Sequence, residues 1–482
     1  MGLEAIEHVV VLMLENRSFD HMLGYLYHDA DPVNVSPSGH PFEGLTGSES
    51  NLSPTGSEVA VFQIAASDQN AYWYPLCPPG EGYAHTNQQL FGTQVAPVPP
   101  VATNVGFVTD FADALAHPLD PPLEGAAVST IMGMYTPSLL PILSGLATGY
   151  AVCDEWFASV PTETMPNRAF ALAGTSLGRV TDTSSYFDTP SIFGSLSRAG
   201  VTWKIYGYTK QPLTQMDFPD TRSAPAANFG VFSDFQADAS NGHLPAFSFL
   251  EPEWSSGGPS LENDQHPISD MANGEKLIYD TYQALKSSPT WAQTLLIVTY
   301  DEHGGCYDHV APPVGAVAPD QSPGEDGFDF TRFGLRVPTV LVSPLIQAGT
   351  VFRAPDGSPP FDHTSILATV EKLWGLDPLT HRDAAAVDIS SVLSLAEPRS
   401  DDPLRGVTPP AYSPPGGARS SSVVNQPSRV LAFHALMAAE LPIAGDPSDP
   451  STALSHLHTA EDYSQFIHDR LARWNEAKPL KS

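Results

Sequence analysis

Cysteine is scarce in this chain: Cys77, Cys153 and Cys306 are the whole supply in 482 residues. Three thiols so widely scattered exclude a disulfide framework and a structural zinc site, and any single bridge would leave one thiol free. Basic residues are also few, 22 Lys and Arg against 54 Asp and Glu, for a formal charge of −32. Such a field repels nucleic-acid phosphates and anionic membrane surfaces at long range, so nucleic acid is excluded as a partner. A phospholipid or another phosphate ester remains open as substrate, because a local metal ion reverses the sign inside a pocket. No apolar run is long enough to span a membrane as a helix. The first eight residues, Met1 to His8, lack a basic segment followed by an apolar one. No signal peptide is therefore expected, and the chain is either cytoplasmic or supplied in mature form.

What the chain does have is β-rich apolar runs at Ile6–Leu14, Val201–Tyr206, Ala246–Leu250, Thr294–Tyr300 and Val337–Val342. Helix-period segments lie between them, at Lys276–Lys286 and Thr364–Leu376. This alternation predicts an α/β fold with a mostly parallel, doubly wound sheet and helices on both faces. The Gly/Pro/Ser-rich stretches 33–60 and 75–105 read as loops of the kind that rim a site. A catalytic unit over 1–395 is expected, then a Pro/Ser/Gly-rich linker or wrap at 396–428. A helical segment at 429–482 follows, with patterns around 428–441 and 460–475. There are no repeats.

Three polar clusters carry the chemistry. Glu15-Asn16-Arg17-Ser18-Phe19-Asp20 follows the first apolar run, and strand ends of this kind hold the sites of open α/β enzymes. Arg17 to Asp20 read as turn, cap and packing; a plain helix cap is the alternative for the whole cluster. Pro161 to Arg168 precedes a helix-compatible stretch, with Pro166 suited to its first turn. The Thr164 hydroxyl would then lie near free backbone N–H groups, a phosphate site or an ordinary N-cap. Asp301-Glu302-His303 ends the run at 294–300, and adjacent carboxylates need a cation or a proton to coexist. Oxygen donors suit a divalent ion, with Ca, Zn and Mn all open; an exposed turn without metal is the alternative. His266 in a polar loop, Asp362-His363 before a helix, and His85 are further candidates, each with a structural alternative.

Together the clusters resemble the phosphoesterase family of bacterial phospholipases C, acid phosphatases and plant non-specific phospholipases C. The matching pieces are Glu-Asn-Arg-Ser-Phe-Asp-His at 15–21, Pro-Asn-Arg at 166–168, the His-Pro pair at 266–267, Thr-Tyr-Asp-Glu-His-Gly-Gly at 299–305 and Phe-Asp-His-Thr-Ser-Ile at 361–366. The resemblance implies an alkaline-phosphatase-like fold, Thr164 as nucleophile, and Glu15, Asn16, Asp301 and Glu302 as metal-site residues. It maps the leaving-group histidines to His266 and His85. Glu81 departs from the family pattern, which often has histidine there, and the missing export signal departs from many bacterial relatives.

The implied function is metal-dependent phospholipase C action through a phosphothreonine intermediate. Asn16, Arg168 and helix-start N–H groups would steady the transition state, although Arg168 could equally pair with a structural carboxylate. An acid phosphatase or phosphodiesterase for small soluble esters is the alternative; from another class, so is a catalytically silent, cation-binding acidic protein. A sulfatase is excluded by the lack of a Cys/Ser-x-Pro-x-Arg motif around the cysteines. Trp73-Tyr74-Pro75-Leu76 reads either as an apolar substrate rim or as a buried loop anchor. Oligomeric state stays open.

Overall fold

Seven consecutive residues with no charge and three adjacent valines form β1 (His8–Leu14), and from Val9 onward every one is buried. In the computed structural model, which describes residues 2–182, 186–255, 261–416, 427–443 and 454–477, this strand lies inside an eight-stranded sheet. The other strands are β2 (Ala151–Cys153), β3 (Trp203–Gly207), β4 (Phe229–Val231), β5 (Phe247–Leu250), β6 (Thr294–Tyr300), β7 (Thr339–Val342) and β8 (Thr350–Phe352). Their spatial order is β8-β2-β7-β6-β1-β5-β3-β4. Only β7 runs against its neighbours, β6 and β2; all other pairs are parallel. The mostly parallel sheet is therefore as expected. Burial of every β6 residue shows both faces covered, as parallel sheets require.

Each expected strand is present with its ends moved by at most two residues. The additions are β2, β4 and β8, three residues each, too short to leave a periodic signal. The 75–105 stretch is not all loop, because it contains α1 (Tyr83–Phe91), which is followed by α2 (Phe107–Ala116). Next come α3 (Pro141–Gly149), α4 (Thr164–Ala173) and α5 (Met271–Lys286). The last of these starts five residues before its periodic pattern, because Asp270 caps it by accepting from Ala272 N and Asn273 N. Within α5, buried Glu275 accepts from Ile142 N at 2.6 Å and Leu143 N at 3.0 Å, capping α3 from a different helix.

Later in the chain lie α6 (Thr364–Trp374), α7 (Arg429–Ala439) and α8 (Ala460–Ala477). The C-terminal pair is seated by His434 on Asp217 at 2.9 Å, Lys210 on Ser464 at 2.8 Å and Gln215 on Asn475 at 2.9 Å. The chain before it lies along the surface, with Ser413 accepting from Trp73 Nε1 and Gly416 donating to Asn70. Residues 417–426 of the expected linker are outside the described residues. Among the described residues, no helix is long and apolar enough to cross a membrane. All three cysteines are buried and free.

Candidate active site

Parallel pairing of β1 and β6 sets Leu14 beside Tyr300, so the next residues of both strands leave the sheet together. Two of the predicted clusters thus meet at the carboxyl edge of the sheet. Asn16 adopts a left-handed conformation (φ 58°), which asparagine tolerates better than most residues. Its backbone N–H and that of Glu302 both donate to Asp301 Oδ1, at 3.0 and 2.7 Å. Gly304, also at positive φ, approaches so closely that a Cβ there would collide with the Asn16 carbonyl oxygen.

Asp301 is fully engaged, because its Oδ2 accepts from Arg168 Nε at 2.9 Å. Arg168 also donates to Leu14 O and lies over Trp254. Glu15 is the opposite case. Among the described carboxylates, only Glu15 has both oxygens buried without a partner. Glu302 Oε1 and the Asn16 amide nitrogen are likewise unsatisfied. Burial, then Asp301 and Asp264, push the Glu15 carboxyl well up; burial, then Glu81 and Asp301, do the same to Glu302. Unpaired buried carboxylates are costly, and the hard oxygen donors here fit a divalent cation.

Thr164 is the first residue of α4, not its N-cap, which is Glu163. Its hydroxyl donates to Asn16 Oδ1 at 3.1 Å, which joins the third cluster to the other two. Asn167 holds the approach to Thr164, donating to the carbonyls of Val160, Thr162 and Glu163.

His266 lines a cavity of about 290 Å³ together with Glu81, Asp264, Trp254 and Arg429. Its Nε2 lies 3.1 Å from Glu81 Oε1 and its Nδ1 2.6 Å from Pro267 O. Burial works against the imidazolium, but Glu81 outweighs it and His266 is pushed up to about 10. Glu81, the departure from the family pattern, is therefore the partner of the leading histidine candidate. Arg429 reaches the same place from α7, pairing with Glu163 and lying 3.9 Å from Glu81. Nothing in the sequence around Arg429 pointed to the site, which lies 265 residues from Thr164 in the chain.

His85 is not brought to this cavity. It pairs with Asp110 at 2.8 Å, and Asp110 accepts from Gln89, which in turn contacts His303 Nε2 at 2.7 Å. His303 Nδ1 lies 3.1 Å from Glu302 Oε2, and burial pushes this histidine down to about 4. His363 supports the site from behind, on the Asp301 carbonyl at 2.6 Å. Asp362 caps the start of α6 and pairs with Arg382.

Arg17 to Asp20 fasten the wall as expected. Arg17 donates to Gln265 O and Tyr74 O, and Ser18 caps the short Phe19–Leu23 helix. Asp20, Asp308 and His309 bring three ligand atoms within 4.8 Å of one another. Buried Arg336 already pairs with both carboxylates there, at 2.8 and 3.0 Å, so a guanidinium supplies the neutralising charge. Trp73, Tyr74 and Leu76 are buried, which settles that segment as an anchor and not a rim.

Residues 6–377 match the model of the Phosphoesterase family. The chain is 37% identical over 413 residues to non-specific phospholipase C6 of Arabidopsis thaliana, covering 83% of this chain and 74% of that protein. It is 28% identical over 456 residues to phospholipase C A of Mycobacterium tuberculosis, covering 84% and 81%. A solved protein of the alkaline phosphatase superfamily from Vibrio parahaemolyticus aligns at 16% identity with a TM-score of 0.31, over 53% of this chain and 65% of that one. At that score the structural likeness carries no weight beside the sequence matches. With the family match spanning most of its length and these relatives aligned across it, the chain belongs to the Phosphoesterase family.

Proposed function

We propose that the protein is a metal-dependent phosphodiester hydrolase of the phospholipase C class, working through a phosphothreonine intermediate. The observation that carries this reading is the Thr164 hydroxyl, bonded to Asn16 one residue from the two unpartnered oxygens of Glu15. Glu15, Asn16, Asp301 and Glu302 are the residues to hold a divalent cation, with Asp301 serving as much to fix the backbone as to bind. Such an ion, when bound, lowers the pKa of a coordinated hydroxyl and withdraws charge from a phosphoryl oxygen.

The chain's own residues supply the rest. Asn16 Oδ1 takes the Thr164 hydrogen bond and so fixes where the remaining lone pairs of that oxygen point. Thr164 Oγ1 releases its hydroxyl proton to solvent and bonds to phosphorus as the ester bond to the departing alcohol breaks, and it takes a proton back from solvent when water later cleaves the phosphothreonine. His266, held protonated by Glu81, gives its Nε2 proton to that leaving oxygen. Neutral His266 then takes a proton from the water that cleaves the phosphothreonine.

The names of the relatives favour a phospholipid as substrate. The polar cavity lining, with Glu81, Asp264 and Arg429, favours the second reading, a small soluble phosphate ester. Turnover of phosphatidylcholine, a chromogenic phosphodiester and simple monoesters decides between them. Thr164→Ala is expected to cut turnover of every accepted substrate by at least about a thousand-fold with the melting temperature unchanged. Near-normal turnover in that variant would sink the nucleophile assignment. Exhaustive chelation is expected to abolish activity and lower the melting temperature, with both restored on adding a divalent ion; full activity after chelation would remove the metal from the scheme.

A further inference from the structure

Residues 86–109 contain no Asp, Glu, Lys, Arg or His, in a chain whose net charge is −32. The middle of this stretch is a loop running from the end of α1 to α2. Its tip presents Val95, Val98 and Val101 at 77%, 98% and 66% exposure, with Val105 exposed as well. These are four of the twelve large apolar side chains exposed among the described residues, gathered within eleven positions.

The base of the loop is fixed. Thr103 N and Asn104 N both donate to Leu90 O, Gly106 N donates to Gln89 O, and Asn104 Nδ2 donates to Asp308 O. The valines are thus held outward on a pinned base. The loop is also close to the site in the chain. It follows α1, nine residues or about 13 Å long, and α1 begins two residues after Glu81. Leu119, 77% exposed, adds an apolar side chain to the lining of the His266 cavity itself.

We propose that the 93–105 loop docks the protein on a neutral, zwitterionic lipid bilayer, with Val95, Val98 and Val101 entering the interface. The proposal rests on the phospholipid reading of the site. An uncharged tip on a strongly acidic molecule is suited to a neutral surface and unsuited to an anionic one. Pro97, Pro99 and Pro100 lack backbone N–H groups, so the tip cannot extend the edge of a partner's sheet. A few valines are also far short of the ~1,200 Å² that a stable protein–protein interface buries.

The test is flotation of the full chain with phosphatidylcholine vesicles, using wild type, the triple variant Val95→Ser/Val98→Ser/Val101→Ser, and Val98→Trp. Partition of the triple variant is expected to fall by about tenfold or more, and that of Val98→Trp to rise. The specificity constant on a soluble phosphodiester should be unchanged in both, which also shows that they fold. Equal flotation of wild type and triple variant would overturn the proposal. So would wild type failing to float, or floating only when anionic lipid is added. Conversion of a wild-type dimer to a monomer by the triple change, with flotation unaltered, would assign the valines to a second copy instead. Loop-dependent flotation with turnover of soluble esters alone would refute the phospholipid reading and leave docking standing. Lipid hydrolysis insensitive to the valines would do the reverse.

Discussion

Gln89 shows how one amide can govern a buried carboxylate it never touches. Its Nε2 donates to Gly80 O and to Asp110 Oδ2, both at 2.8 Å, so its Oε1 must accept from His303 Nε2. That choice leaves His303 Nδ1 as the acceptor facing Glu302 Oε2, so the protonated Glu302 carboxyl donates to it and its oxygens are placed before an ion displaces that proton. Gln89→Leu is expected to weaken divalent-ion binding by roughly 10–100-fold. The measurement is the rise in melting temperature as the ion is titrated; turnover at saturating ion should recover to within a few-fold of wild type. An unchanged titration would show that Glu302 holds its position without this chain of contacts. Residues such as Glu15, Asn16, Thr164, Asp301 and Glu302 were legible in sequence because each directly follows or precedes a run whose type is readable. Gln89 and Arg429 were not, since their roles depend on partners that only the tertiary fold supplies. Glu81 was visible as an anomaly, and its meaning came from His266.

At the scale of elements, the junction of α3 and α5 is held by a buried acid. Burial pushes the Glu275 carboxyl up to about 8, above the ordinary 4.5, against the pull of two N–H groups at the head of α3. The folded state therefore keeps this proton to higher pH than the unfolded state does. Its contribution to stability is full below about pH 4.5 and is lost as pH rises through about 8. Denaturant midpoints across pH 5–8 should show wild type losing stability with a component that Glu275→Gln flattens. An identical slope in both would mean that this carboxyl is ionised throughout. The long runs that became β1 and β6 were readable because strands buried on both faces are nearly continuous in apolar residues. The three-residue strands were not, and neither was the early start of α5, which a single cap determines.

For the whole molecule, 54 acidic against 22 basic residues make self-repulsion a term in every folded property. Raising sodium chloride from about 0.01 M to 0.15 M shortens the screening length from ~30 to ~8 Å, so the melting temperature is expected to rise. A fall on calorimetry would show that the ion pairs outweigh the repulsion. Sheet class was legible at this scale, but strand order was not, because nothing local says which distant run lies beside which. That order has a consequence in time. β1 is made more than two hundred residues before its two neighbours, which begin at Phe247 and Thr294. At about 5–20 residues per second, the ribosome needs roughly 10–50 s to pass from Leu14 to Phe247. Throughout that interval a strand apolar from Val9 to Leu14, with the site residues at its tip, has no sheet to join. For that interval the nascent β1 depends on something other than its own sheet to stay out of wrong pairings.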